Sequence, residues 1–419
     1  MPKLKKKLWI FGSTIIYNLF LKGCILRRVC RQEKVNVVFF AVNVAMWKYD
    51  GFFKLLLEDP RFNPVIVSYL YPGDGEEYRR FVQREMKEFF GAKGYPFFES
   101  YDFDSGNFLD VKAMKPDIIF FAQPYDNGYS PYRIKNFMGR SLFAYIPYCY
   151  HMEDDASFYD CQLHKIAWRL FYPTEHHARQ VAKYSRSAGR SVVVTGYPMA
   201  DRLLSDAPVD YSSWKDKSPA VKRVIWAPHH SIMPGDVLDN SRFLELADVM
   251  VSIARKYQGK LQFAFKPHPR LKPKLYLHPS WGQEKTDAYY RLWEEMPDTV
   301  FQDGDYVELF RSSDAMLHDC SSFMGEYLYF NKPVAFLGNR ESVSSHLNDF
   351  AKGCLACHYQ ADNQADIEAF LEDVVLGGKD AMAPARSAFR STLVVDGSVA
   401  GRMYDAFKAG LESSGTGAR

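Results

Sequence analysis

The sequence predicts an α/β protein built from two doubly wound parallel sheets. Apolar, β-branched runs of strand length recur along the chain with helix-length segments between them, and one polar linker divides the series into two. Length agrees, because 419 residues exceed what one ordinary core holds.

The first series opens with "VNVVFFAV", a continuous apolar run of the kind found in strands covered on both faces. "PVIVSYLY" (64–71), "DIIFFAQP" (117–124), "LFAYIPY" (142–148) and "SVVVTGYP" (191–198) repeat that character, with helices expected over 76–90 and 175–185. "SDAPVDYSSWKDKSPA" then breaks the pattern with Pro, Ser and charges, as a linker does. Alternation resumes with "RVIWAP" (223–228), "LQFAFKP" (261–267), "TVFQDGD" (299–305), "DAMLHD" (314–319) and "PVAFL" (333–337), separated by helices near 241–257 and 285–295. In "DYVE", Asp305 and Glu308 have capping-box spacing. The resulting division is a basic segment 1–34, a first domain 35–205, a linker 206–220, a second domain 221–385, and C-terminal helices with a polar tail over 386–419.

In doubly wound folds ligands sit beyond the carboxyl ends of the strands. Three strand ends of the second domain carry polar clusters: His229, His230 and Ser231; then Lys266, His268 and Arg270 in "KPHPR"; then Asp319, Ser321 and Ser322, with Glu326 a turn into the next helix. Ser321 and Ser322 open a helix, where unpartnered N–H groups and the dipole favour an anion. Plain helix capping explains the serines equally well. The cationic loop opposite a helix start makes a pyrophosphate clamp, and Glu326 is placed to accept from sugar hydroxyls. One of the paired histidines can be mere packing.

Composition narrows the function. Net charge is only +3, which gives no reason to invoke nucleic acid. Seven cysteines without framework spacing point to reduced thiols and a cytosolic setting. "CLACH" (354–358) matches a haem-attachment pattern but stands alone, and Asp102/Asp104 and Asp303/Asp305 have D-x-D spacing that loops and capping explain. No metal and no cofactor is expected, and there is no Walker loop, G-x-G-x-x-G or G-x-S-x-G. Aromatic content of 16% suits either stacking on a ligand or an aromatic core. Residues 1–34 carry nine Lys or Arg against one acid, around "LWIFGSTIIYNLFL". That stretch is short for a bilayer span, and Thr14, Asn18 and Lys22 form a polar stripe at i, i+4, i+8. An amphipathic helix in an anionic membrane interface is expected, the alternative being a helix on the protein's own surface.

Taken together, "VTGYPMADRL" (194–203), "WAPHHS" (226–231), "KPHP" (266–269) and "DYVELFRSSDAMLHDCSSFMGEYLYFNKPVAFL" (305–337) resemble the CDP-glycerol glycerophosphotransferase family, the teichoic-acid and capsule polymerases. The resemblance implies a GT-B fold, two Rossmann-like domains facing a cleft. It implies a CDP-linked polyol donor, transfer of the phosphorylated polyol to a lipid-linked or glycan acceptor, and release of CMP on the cytoplasmic face of the membrane. It makes His268 catalytic, matches Ser321 and Ser322 to the donor-phosphate serines and Glu326 to the family's usual aspartate, and Gly196, His229, His230, Lys266, Arg270 and Asp319 are expected beside them as donor contacts from their places in these motifs. Two departures stand out. The family's Ala-Pro motif continues with Thr, an aromatic and Arg, whereas His229, His230 and Ser231 follow here; and the family's His-Gly-Thr is replaced by "YIPYCYHMEDD" (145–155), leaving His151 as candidate base. The alternatives are a GT-B glycosyltransferase using a CMP- or UDP-sugar, a nucleotide-sugar epimerase, and a non-catalytic scaffold.

Overall fold

The computed structural model describes residues 11–218, 220–233, 236, 241–338 and 343–412. The chain divides into two compact units. The first comprises 1–151, 155–201 and 395–419; the second comprises 152–154 and 202–394.

The first unit holds a seven-stranded sheet of β1 (Val35–Ala41), β2 (Phe62–Ser68), β3 (Phe97–Phe98), β4 (Ile118–Phe121), β5 (Leu142–Tyr145), β6 (Arg169–Tyr172) and β7 (Val192–Val194). Its order is β3-β2-β1-β4-β5-β6-β7, and each neighbouring pair is parallel. The second unit holds β8 (Lys222–Ala227), β9 (Leu261–Phe265), β10 (Thr299–Phe301), β11 (Ala315–His318), β12 (Val334–Phe336) and β13 (Tyr359–Gln360), in the order β10-β9-β8-β11-β12-β13. Both are the doubly wound parallel sheets predicted for a GT-B chain, and each reverses its strand order once, at β1/β4 and at β8/β11.

Aromatic side chains make up much of both cores. In the first unit Phe39 of β1 stacks on Phe120 of β4 at 4.5 Å, and Phe407 packs on Phe52, Phe62 and Trp168 at 5.2–5.8 Å. Phe407 lies on the helix Val399–Glu412, so the C-terminal segment completes the core of the first unit. In the second unit Trp226 of β8 lies among Phe243, Phe265 and Trp293, with centroids at 5.0–5.8 Å. β6 is absent from the sequence reading because four strand residues separate a short helix, Gln162–Ile166, from the next one, Glu175–Tyr184.

The expected capping box does not close. Asp305 accepts from the Val307 N–H at 3.1 Å, while Glu308 turns to Arg311 and to the Asp210 amide instead of reaching back.

Residues 11–30 form one helix, with a π-type turn at Tyr17–Leu21. Its polar stripe faces inward: Asn18 donates to the Lys165 carbonyl at 2.8 Å and the Lys22 ammonium to the Ile166 and Ala167 carbonyls at 3.4 Å, with the buried Tyr17 hydroxyl bonded to the Ser141 carbonyl at 2.9 Å. Burial lowers the Lys22 pKa to about 8. Phe11, Ile15, Ile16, Leu19 and Phe20 of the same helix are exposed, Leu19 by 70%. Among the described residues no helix is long and apolar enough to cross a membrane.

Candidate functional site

The parallel registers Trp226↔Phe265 and Ala227↔His318 bring β8, β9 and β11 to an end side by side. Pro228, Lys266 and Asp319 therefore leave the sheet together, where β8 and β11 diverge and a doubly wound sheet opens a crevice. Backbone bonds keep the loops in contact: the Lys266 N–H donates to the Trp226 carbonyl at 2.8 Å and the His268 N–H to the Pro228 carbonyl at 3.0 Å.

Asp319 joins them. Its buried carboxylate accepts the His229 N–H on one oxygen and the Arg242 N–H, at 2.9 Å, on the other. Arg242 precedes the helix Phe243–Lys256, so the negative charge lies at that helix's positive end. The Ser241 hydroxyl closes the loop by donating to the His229 carbonyl at 2.9 Å. Burial pushes the Asp319 pKa up to about 6, with the amide bonds pulling the other way. Asp319, expected to contact the donor, instead positions the His229 loop.

Three imidazoles meet above it. Ring centroids lie 4.2 Å apart for His229 and His230, 4.3 Å for His230 and His268, and 5.2 Å for His229 and His268. Burial lowers all three pKa values, to about 3, 4 and 2 for His229, His230 and His268, and mutual repulsion and nearby cations deepen the shift. The rings are uncharged at neutral pH. Of the three "KPHPR" residues that are cationic or can become so, His268 is thus a neutral group between Lys266 and Arg270. The Arg270 N–H donates to His268 Nδ1 at 3.1 Å, which leaves the ring proton on Nε2 as a hydrogen-bond donor. His229 Nδ1 lies 2.9 Å from the Ser231 hydroxyl, and His230 Nδ1 is buried without a hydrogen-bond partner.

Lys266 is buried and Arg270 exposed. Sequence reasoning missed a further cation, Lys274, which pairs with Asp236 and lies close enough to His229 and His230 to depress both. Its spacing of four residues from Arg270, on the helix Leu271–Leu277, was the available signal. Arg242 and Ser241 carried none, since only the fold brings them to Asp319.

Ser321 and Ser322 are half-buried at the start of the helix Ser321–Glu326, whose N-cap is Cys320 and which no side chain caps. Glu326 is buried, 2% exposed, and its carboxylate accepts from the Tyr306 hydroxyl. It is neither the surface residue of the capping reading nor an open acceptor for sugar hydroxyls. His318, buried in the preceding strand, directs Nδ1 at the Cys320 carbonyl at 3.0 Å and packs edge-on to His358.

Two expected site residues belong to the first unit. Gly196 has φ +100°, and an added Cβ would meet Val399 at 2.8 Å, so the turn and the close approach of the C-terminal segment require the glycine. His151 is buried, with Nε2 at 2.8 Å from the Tyr145 hydroxyl and its pKa lowered by burial to about 4.

Residues 152–339 match the family model described as CDP-Glycerol:Poly(glycerophosphate) glycerophosphotransferase. Over those residues the chain is similar to the glycerophosphotransferases. No curated protein sequence matches it. Solved structures of similar fold include a putative UDP-N-acetylglucosamine 2-epimerase from Listeria monocytogenes, at 15% identity and TM-score 0.58, covering 91% of this chain and 97% of that one. The wall teichoic acid polymerase TagF is similar over 98% of both chains, at 11% identity and TM-score 0.57. UDP-GlcNAc 2-epimerase from Neisseria meningitidis covers 91% of this chain and all of its own length, at 12% identity and TM-score 0.55. At these identities the likeness is one of fold. The family match includes all three strand-end loops of the second unit.

Asp319 gives a pH test. Its folded pKa is raised, so its contribution to stability is complete below the unfolded value of 3.8 and is lost as pH rises through about 6. The buried histidines act oppositely: their folded pKa values are lowered, and their contribution, present above 6.5, is lost on acidification. In Asp319→Asn only the carboxyl contribution is absent. Urea denaturation should therefore show the stability gap between wild type and variant shrinking by about 1 kcal/mol from about pH 5 to about pH 7.5. A gap independent of pH would show that the carboxyl does not titrate there.

Proposed function

We propose that the crevice above β8, β9 and β11 holds the diphosphate of a CDP-linked polyol, and that the enzyme transfers the phosphorylated polyol to a hydroxyl of a glycan or lipid-linked acceptor. The acceptor oxygen attacks the outer phosphorus, the bridging P–O bond breaks, and CMP leaves with the bonding electrons. The hydroxyl proton passes to a base. Teichoic-acid or capsule synthesis is the setting this chemistry fits.

The observation that carries the reading is the meeting of the three loops at a switch point. There they combine Lys266, Arg270 and Lys274 with a neutral His268 whose Nε2–H is a donor. Negative charge gathers on the leaving phosphate as the bridge breaks, and fixed donors in a partly desolvated site stabilise it. Lys274 takes the part of the arginine that the family's Ala-Pro motif would supply. Ser321 and Ser322, at an uncapped helix start, add donors to the same anion. His151 has its Nε2 engaged by Tyr145, so the reading rests on the phosphate site and not on that base.

The test is turnover with CDP-glycerol and a hydroxylated acceptor in the presence of a chelator, followed as CMP release. His268→Ala should lower kcat by about 10²–10³ with little change in thermal midpoint, the loss typical of a donor to developing charge. Near-normal turnover in the variant would remove His268 from the mechanism. Conversion of a free UDP-sugar to its epimer, with no CMP release, would favour the isomerase reading.

We also propose that the helix over residues 11–30 attaches the enzyme to an anionic membrane on the cytoplasmic side. The support is its orientation, with polar side chains spent on backbone carbonyls of the first unit and five large apolar side chains exposed. The basic residues at 3–7, which would meet anionic headgroups, lie outside the described residues. Leu19→Glu combined with Phe20→Glu should weaken sedimentation with phosphatidylglycerol vesicles at least ~10-fold, since each change places a charge in the lipid-facing arc. Unchanged sedimentation would show that this arc is not the contact.

A further inference from the structure

The side chains that face the donor in this crevice also form a set that could hold a metal ion. His229, His230 and His268 each offer one imidazole nitrogen, and the three nitrogens lie within 4.8 Å of one another. Two loops supply them, and both loops are anchored: one by the bond from the His229 amide to Asp319, the other by the bond from the His268 amide to Pro228. We infer that this cluster is a three-histidine site for a divalent transition metal ion such as Zn²⁺, and that the bound ion competes with the donor for the same side chains.

Donor chemistry supports the assignment. Neutral imidazole is the commonest ligand for zinc, and three such ligands with an open fourth position form a familiar metal geometry. His229 is ready to ligate: the Ser231 hydroxyl can accept its Nδ1 proton, which leaves Nε2 bare, the outer-shell arrangement that fixes ligating histidines. His230 has a buried Nδ1 with no hydrogen-bond partner, a position a metal would satisfy. His268 must exchange its bond from the Arg270 amide for the metal bond, so a ring caught in this way loses the tautomer that donates to phosphate. Tetrahedral coordination brings ligand nitrogens to roughly 3.3 Å from one another, so small ring rotations must close the cluster. Lys266, Arg270 and Lys274 oppose a second cation, which makes the site one of moderate affinity and its occupancy sensitive to metal supply.

The proposal deepens the donor-site reading through the same residues, and the experiment separates the two. Metal-free full-length protein is titrated with Co²⁺ in a non-coordinating buffer without donor, and the visible bands of low-coordinate cobalt are recorded. One equivalent should saturate the bands, and Zn²⁺ should displace the cobalt. Affinity should fall at least ~10-fold in His230→Gln and, as an independent variant, in His268→Asn, each checked for folding by circular dichroism. Absence of low-coordinate bands, or equal affinity in both folded variants, overturns the metal site. Donor titrations in chelator form the other arm: adding Zn²⁺ should weaken CDP-glycerol binding, and unaltered donor binding on a zinc-loaded protein overturns the competition. Failure of donor binding in chelator alone would count against the transfer reading and leave the cobalt result standing.

Discussion

A single buried carboxylate organises the second unit's crevice. Asp319 follows β11, and its two oxygens hold the first residue after Pro228 and the residue just before the helix Phe243–Lys256. Three segments that are distant in sequence are thereby fixed to one another, at the point where strand order reverses. Burying that group is costly, and the rise of its pKa to about 6 is the electrostatic sign of the cost. Two N–H bonds and a helix dipole offset it. Removing one partner would leave either a charge or an amide buried without a counterpart, so the arrangement is an all-or-nothing one.

Charge balance follows from the same geometry. The anchored loops crowd three imidazoles between Lys266, Arg270 and Lys274, and the imidazoles respond by staying neutral. Neutrality alters what they can do. A protonated histidine would donate from both ring nitrogens, whereas His268, with Nδ1 accepting from the Arg270 amide, points its one proton from Nε2. The cations supply attraction and the imidazoles supply orientation. A diphosphate needs both, and a divalent transition metal ion needs only the second.

The architecture was legible because strands buried on both faces read as continuous apolar runs, and "RVIWAP", "LQFAFKP" and "DAMLHD" each gave way to polar residues at the point where the sheet ends. Position after a strand was therefore enough to find His229, His230, Lys266, His268 and Asp319. Their roles were less legible. Sequence shows that His268 can become a cation and that Asp319 follows a strand, but not how far burial holds the one neutral and turns the other inward. Glu326 was found but misassigned, because its partner Tyr306 lies twenty residues away on another element. Gly196 was singled out as a donor contact, yet its φ and the approach of Val399 require it for folding. The N-terminal stripe of Thr14, Asn18 and Lys22 was visible as a period, but periodicity cannot tell which face meets the protein. Here the polar face does, since it finds unpaired carbonyls at the end of a short helix, Gln162–Ile166.

The central claim is that Asp319-anchored loops place three neutral imidazoles against the donor's phosphates. Histidine-selective NMR of the full-length protein, titrated with CDP-glycerol in the presence of a chelator, tests it most directly. The account predicts that the ring signals of His229, His230 and His268 shift together and saturate with donor, while those of the buried His164 and His177 stay in place. Donor binding that leaves the three signals unmoved would contradict it.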